Sequence, residues 1–255
     1  MRVQFGNPQA LFHIIERIRT MFDVNADCAV IADALSADPV LASCTRKCPG
    51  LRVPGCWDGF ELAIRAILGQ QITVKGATAL AGKLVEKFGE RCTADAGLTH
   101  FFPEPRVIAD ADLAIIGMPR ARGETIRALA RAVCKGKIRF EGIVDTDVFL
   151  ARLCEIPGIG RWTAQYVAMR ALREPDAFPT ADLGLLRSLR LQSSRELERR
   201  AEAWRPWRAY AAVYLWHSAA LERRQFDRAA KENAEPTSPF GAKTDHSISD
   251  IPASC

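Results

Sequence analysis

Apolar side chains recur along most of this chain at intervals of three and four residues, the spacing that gathers them on one face of an α-helix. Leu11, Ile14, Ile15 and Ile18 open the series. Phe60, Ile64, Ile67 and Leu68 repeat it behind Asp58, a residue type that caps the free N–H groups of a helix start. Val74, Ala77, Leu80, Ala81, Leu84, Val85 and Phe88 then sustain the pattern, with Thr73 as cap and Gly89 as stop. Ile126, Leu129, Ala130 and Val133 define another helix, ending near Gly136. A short one from Val148 to Leu153 meets Pro157-Gly-Ile-Gly160, and the next begins at about Arg161 with Trp162, Tyr166 and Val167. The last strong pattern spans roughly Trp207 to Ala220. No convincing series of strands alternates with these segments, so the predicted fold is all-α.

Proline and glycine punctuate the pattern. Pro39 to Pro54, with Pro49-Gly50 and Pro54-Gly55, reads as a linker, and Pro175 to Thr180 as a connection opening onto Asp182. Residues 222–255, richest in Pro, Ser, Thr, Asp and Ala from about Lys231, offer little to bury and are expected to be a disordered tail.

Composition adds limits. Apolar residues make up 48% of the 255, which excludes wholesale disorder. Net charge is +5, and the stretch from Glu222 holds five Lys/Arg against six Asp/Glu, so the basic excess sits on the foldable part. That is the weak form of the footprint left by a polyanion partner. Met1-Arg-Val-Gln-Phe5 is not followed by a long apolar run, and nowhere do about 18 apolar residues run together, so neither export nor membrane insertion is expected and the predicted location is cytoplasmic. Eight cysteines lie at 28, 44, 48, 56, 92, 134, 154 and 255. Cys44 and Cys48 form the one close pair, and without a fourth ligand nearby they read as unpaired thiols in a reducing compartment.

Three features carry chemistry. In Leu153-Cys-Glu-Ile-Pro-Gly-Ile-Gly-Arg-Trp-Thr-Ala164, one helix stops, two glycines allow a tight turn, and a new helix starts at once. The turn leaves backbone amides uncovered where an anion finds unpaired donors and a favourable dipole. A plain turn would need only the glycines; the struts Leu153, Ile156 and Ile159 make this a helix-hairpin-helix signature, which grips a DNA backbone without reading sequence. Asp182 follows a proline-bearing loop and precedes an apolar helical run. It is either an ordinary helix cap or a carboxylate held ionised by helix-start amides, suited to stabilising positive charge on a sugar or deprotonating water. The third feature is aromatic. Trp162 and Tyr166 share one helix face, and Trp204, Trp207, Tyr210, Tyr214 and Trp216 crowd a later segment. Aromatic faces stack on everted bases, and a cationic alkylated base gains most from them. Trp204 and Trp207 read as core.

With these residues in place, the chain resembles the helix-hairpin-helix DNA glycosylase superfamily, and within it the bacterial 3-methyladenine DNA glycosylase II group. The resemblance covers roughly residues 7–221, through Pro54 to Glu61, Ala66 to Thr73, Gly117 to Arg120, Ile156 to Ala164, Phe178 to Asp182 and Trp204 to Tyr210. It implies two helical subdomains flanking a cleft: residues 59–174 with the hairpin at about 153–164, and residues 7–58 with 175–221. It implies Asp182 as the catalytic carboxylate, and Trp162, Tyr166 and Trp216 as the base pocket. Gly158, Gly160 and Thr163 would contact the DNA backbone, and Gln70 and Gln71 would form the loop that wedges into the gap left by the everted nucleotide. No cofactor is required, although family members often hold a monovalent cation or Mg through hairpin carbonyls, here those of Cys154, Ile156 and Gly158. The expected partner is double-stranded DNA containing alkylated bases, bound by a monomer.

Departures refine this picture. The small N-terminal sheet domain of close relatives is expected to be absent or supplied by a separate chain. The wedge position falls on polar Gln71 where the relative has an apolar residue. Trp162 stands where strand-cleaving relatives carry a lysine, so a lyase would lack its amine nucleophile, and only Cys255 follows Cys154, which excludes an iron–sulfur cluster there. The activity implied is hydrolysis of the N-glycosidic bond of alkylated purines. The alternatives are the same fold acting on oxidised or deaminated bases, a non-catalytic DNA-binding module, and a subunit of a larger repair protein.

Overall fold

The computed structural model describes residues 7–95 and 97–234. Several of its helices begin where short polar side chains take up free N–H groups. Asp27 caps α2 (Cys28–Leu35), Asp38 caps α3 (Pro39–Lys47), Asp58 caps α4 (Gly59–Leu68) and Thr73 caps α5 (Val74–Phe88). Each such cap stabilises its helix by about 1 kcal/mol. Ahead of them lies α1 (Leu11–Met21), none of whose residues is fully buried. A two-stranded antiparallel ribbon follows α5, β1 (Arg91–Asp95) with β2 (Leu98–His100). Next come α6 (Pro105–Ala109), α7 (Arg120–Cys134), α8 (Thr146–Cys154) and α9 (Arg161–Val167). The turn widens to π geometry over Ala168–Leu172. The chain closes with α10 (Leu183–Ser188), α11 (Ser194–Ala201) and α12 (Arg208–Ala234).

The core is built around α4. Phe60, Ala63, Ile64, Ala66, Ile67 and Leu68 are all buried, and α5, α7 and α9 pack against this helix. A large apolar side chain stabilises by about 1.5–3 kcal/mol when fully buried, so α4 is the anchor to which the hairpin helix α9 is held. From α9 and its π-turn, Ala164, Val167, Ala168 and Met169 enter the same core. Residues up to Ala219 form one compact unit and those from Ala220 a second, whose described residues are helical to Ala234.

Part-buried polar links hold α11, the turn after it and the start of α12, the helix that carries Trp216. Asp38 accepts from Arg200 at two points, 3.1 Å each, and from Trp204 Nε1 at 3.1 Å. Burial pulls its pKa up, but the Val40 N–H, Arg200 and Trp204 outweigh burial and hold the carboxyl below the usual range. Tyr210 donates to Asp23 Oδ2 at 2.8 Å, which with burial raises the phenol.

The mostly helical architecture is the predicted one, with three differences. Pro39–Lys47 is a helix where a linker was expected. Proline costs nothing at the first helical position, where its missing N–H would have no partner, and Asp38 supplies the cap. Residues 222–234, expected to be part of a disordered tail, continue α12, because Leu221 to Ala234 contains strong helix formers and the next proline comes only at Pro236. The β1–β2 ribbon is too short to show an alternating pattern. Residues 235–255, with Cys255, and the Met1–Phe5 segment lie outside the described residues. None of the seven described cysteines is in a disulfide. The Cys56 thiol is pushed up to about 11, by burial first and the Asp58 charge second. Among the described residues no helix is long and apolar enough to cross a membrane.

Candidate active site

The hairpin is set by packing below and by glycine above. Leu153, Ile156 and Ile159 are buried as struts. Gly158 has φ 92°, and a Cβ there would lie 2.1 Å from Oγ1 of Thr125 on α7. That hydroxyl, within reach of the carbonyls of Pro157 (2.8 Å) and Ala121 (3.1 Å), stitches the turn to α7. Gly160 precedes α9 with no side-chain cap and nothing within 4 Å of where a Cβ would be. The first amides of α9 are therefore uncovered by any capping side chain, as an anion site requires.

Asp182 is brought to this hairpin by α9 itself. Gln165 Oε1 accepts from the Phe178 N–H at 2.9 Å, docking the Phe178–Asp182 loop on α9. Trp162 Nε1, in the first turn after Gly160, donates to Asp182 Oδ2 at 2.9 Å. On the other oxygen, Asp182 Oδ1 accepts from the Leu185 N–H at 2.9 Å and from Trp216 Nε1 at 3.0 Å. Asp182 is thus the helix cap of α10 and also the meeting point of two indoles from α9 and α12. Gly184 makes room for this, since a Cβ there would stand 2.9 Å from Asp182 Oδ1 and 3.6 Å from the Trp216 ring. Three N–H donors on one half-buried carboxylate leave it little rotational freedom.

The aromatic set is layered. Trp162 and Tyr166 stack at 5.4 Å with an interplanar angle of 6°. Arg170, one turn on, lies 5.5 Å over the Tyr166 ring and donates to its hydroxyl at 3.1 Å. Arg170, Gln165 and Gly184 did not stand out in the sequence; for Arg170 the i,i+4 spacing from Tyr166 is the signal that could have found it. Trp204 is buried in the core edge-on to Phe178, and half-buried Trp207 packs against the core edge-on to Tyr210.

Of the wedge pair, Gln70 turns toward the hairpin while Gln71 is exposed with φ 59°. Thr163 is buried and its Oγ1 accepts from Gln70 at 3.0 Å, so its hydroxyl is turned toward the wedge loop. For a cation, the carbonyls of Ile156 and Gly158 each already accept one hydrogen bond, from the Ile159 N–H and Gln70 Nε2, both at 3.0 Å. Each keeps a second lone pair, on a neutral oxygen of the kind hard cations take. Among the described residues no cluster of His, Cys, Asp and Glu could hold a metal.

Residues 64–209 match the family described as HhH-GPD superfamily base excision DNA repair protein, and residues 1–58 match the AlkA N-terminal domain. The latter assigns a segment of this chain to the domain that the sequence reading expected to be lacking, and its described residues form helices. The probable bifunctional transcriptional activator/DNA repair enzyme AlkA of Mycobacterium tuberculosis (strain CDC 1551 / Oshkosh) is 40% identical over 205 residues, 78% of this chain. Those residues are 41% of the relative, so the chain spans less than half its length. The DNA-3-methyladenine glycosylase of Bacillus subtilis (strain 168) is 35% identical over 215 residues, 80% of this chain and 71% of that protein. In fold, the 3-methyladenine DNA-glycosylase from Archaeoglobus fulgidus superposes with a TM-score of 0.70 at 22% identity, over 85% of this chain and 77% of its own. With more than half of the sequence matched, hairpin and Asp182 included, the chain belongs to the HhH-GPD superfamily of base excision DNA repair proteins.

Proposed function

We propose that this chain is a monofunctional DNA glycosylase that hydrolyses the N-glycosidic bond of alkylated purines, of the 3-methyladenine and 7-methylguanine type, in duplex DNA. The observation that carries the reading is the position of Asp182, held by an indole N–H in the first turn of the hairpin helix and by a second from α12. A backbone-gripping turn and a carboxylate tied to the helix that leaves it can present the sugar of an everted nucleotide to that carboxylate. The names of the Bacillus and mycobacterial relatives support the same reading.

The hairpin amides take a phosphate of the damaged strand, which positions the duplex without reading sequence. Eversion costs a few kcal/mol, least for a damaged base. The base stacks on the face of Trp162 that Tyr166 does not cover. Methylation at N3 or N7 leaves the purine cationic, so the π faces attract it and it departs without a protein acid. As the glycosidic bond breaks, its electron pair leaves with the purine, which becomes neutral, while the Asp182 carboxylate stabilises the positive charge growing on the sugar and takes the proton of the water that adds there. Oδ1 takes two donors and Oδ2 one, so Oδ2 keeps the freer lone pair for that work. With the Trp162 indole in the lysine position, the site lacks an amine there for a Schiff base, and the product is an intact abasic strand.

Base release measured on duplexes carrying 3-methyladenine, 7-methylguanine, hypoxanthine or 8-oxoguanine tests the substrate class. Methylated purines should lead by at least about tenfold; equal or faster release of 8-oxoguanine would replace this reading with an oxidised-base enzyme.

A further inference from the structure

The loop between α4 and α5 is held more firmly than an exposed connection requires. Gln70 uses both hydrogens of its side-chain amide on the hairpin, donating through Nε2 to the Gly158 carbonyl and to Thr163 Oγ1, each at 3.0 Å. The Gly158 carbonyl can only accept, so the orientation of the amide is settled by its partner. Arg122 Nη2 on α7 donates to the Gln70 backbone carbonyl at 2.6 Å. The peptide that leads into Gln71 is therefore fixed at its carbonyl by one helix and at its side chain by the hairpin. Gln71 itself sits at φ 59°, which a residue with a Cβ adopts at a cost of about 1–2 kcal/mol. Such a conformation persists where its surroundings determine it, and the three bonds of Gln70 are those surroundings.

We propose that Gln70 is a positioning residue that ties the wedge loop to the hairpin. Through it, Gln71 is presented at a set distance from the phosphate-gripping turn. Capture of the backbone and filling of the gap behind the everted nucleotide then occur in one geometry. The inference rests on the glycosylase reading above and names the residue that joins its two DNA contacts. Gln70 touches neither base nor sugar in this account; it acts through Gln71 and the turn.

The test compares one methylated purine in two settings: paired in a duplex, where a partner base must be lost, and in a single-nucleotide bulge, where the wedge has nothing to replace. Gln70→Leu keeps the bulk of the side chain and removes both donors. Single-turnover release from the paired duplex should fall about 10- to 100-fold, the range a small misplacement produces, while release from the bulge stays within about threefold. Arg122→Met, which frees the carbonyl end and leaves the hairpin bonds intact, should give the same selective loss and covers the case in which Gln70→Leu folds poorly. Fluorescence of 2-aminopurine beside an abasic analogue reads eversion without chemistry and should drop in both variants. Equal loss on both substrates would mean that the hairpin is merely damaged, and no loss on either that the tie is idle; each overturns the inference. If the wild-type chain releases no base at all, the glycosylase reading fails separately, and unchanged 2-aminopurine fluorescence in the variants would still overturn the tie.

Discussion

Replacing Gly158 with alanine attacks the hairpin at its tightest point. The new Cβ would lie 2.1 Å from Thr125 Oγ1, 3.1 Å from its Cγ2 and 3.2 Å from its Cβ, so rotating the hydroxyl away does not clear the space. Relief requires Thr125 to break its bond to the Pro157 carbonyl or the turn to move off α7. Overpacking of this kind costs about 1–3 kcal/mol, and holding a non-glycine at φ 92° costs of order 1–3 kcal/mol more. The sum is about 2–6 kcal/mol, which for a domain of this size lowers Tm by about 4–24 °C. Gly160→Ala is the matched control, since nothing lies within 4 Å of its Cβ position and its φ is −90°; it should cost under about 1 kcal/mol. A double-mutant cycle with Thr125→Ala isolates the clash, because the paired variant should recover at least about 1 kcal/mol relative to the sum of the singles. Scanning calorimetry of wild type, the three single variants and the double variant reads all of this. A Gly158→Ala protein melting within about 2 °C of wild type would refute the reasoning.

Two further perturbations separate the carboxylate site from the scaffold. Trp216→Phe keeps an aromatic face but removes the N–H that reaches Asp182 Oδ1, so single-turnover release should slow about tenfold or more with binding to an abasic duplex little changed; an unaltered rate would show that the second indole does not orient the carboxylate. Asp38→Asn should cost about 2 kcal/mol in urea unfolding at pH 7, through its bonds to Arg200 and Trp204. Because the folded carboxyl titrates below its unfolded value of about 3.9, that stability is present above the unfolded pKa and is lost as pH falls through the folded one. The gap to wild type should therefore hold above about pH 4 and close below it, and a gap that closes at higher pH would contradict the assignment.

How legible the molecule is from its sequence depends on how local each cause is. The helix from Val74 to Phe88 was readable to the residue, since Thr73 and Gly89 act on their own neighbours. The helix at Pro39 was hidden because proline and nearby Pro-Gly pairs suggest a break, although Asp38-Pro39 is also how a helix starts. At the site, Asp182, Trp162, Tyr166 and Trp216 were all named from spacing and resemblance, and the structure brings them together. What the sequence did not reveal were links between distant segments: Gln70 to a turn 88 residues away, Gln165 to the Phe178 amide, and Thr125 beneath Gly158. A side-chain bond across such separations leaves no periodic trace. Gly184 was missed for a related reason, since its lack of a side chain matters only once Trp216 arrives from α12.

Everything chemical in this account depends on one carboxylate, so the most direct measurement is release of 3-methyladenine from duplex DNA by the Asp182→Asn protein. The substitution keeps shape and the cap of α10 but removes the negative charge and sets an amide N–H2 against an indole N–H. Release should fall by about 10²- to 10³-fold, the size of effect found when one stabilising group is removed from a transition state, while affinity for an abasic duplex stays within a few-fold. Equal rates for the two proteins would mean that Asp182 caps a helix and nothing more.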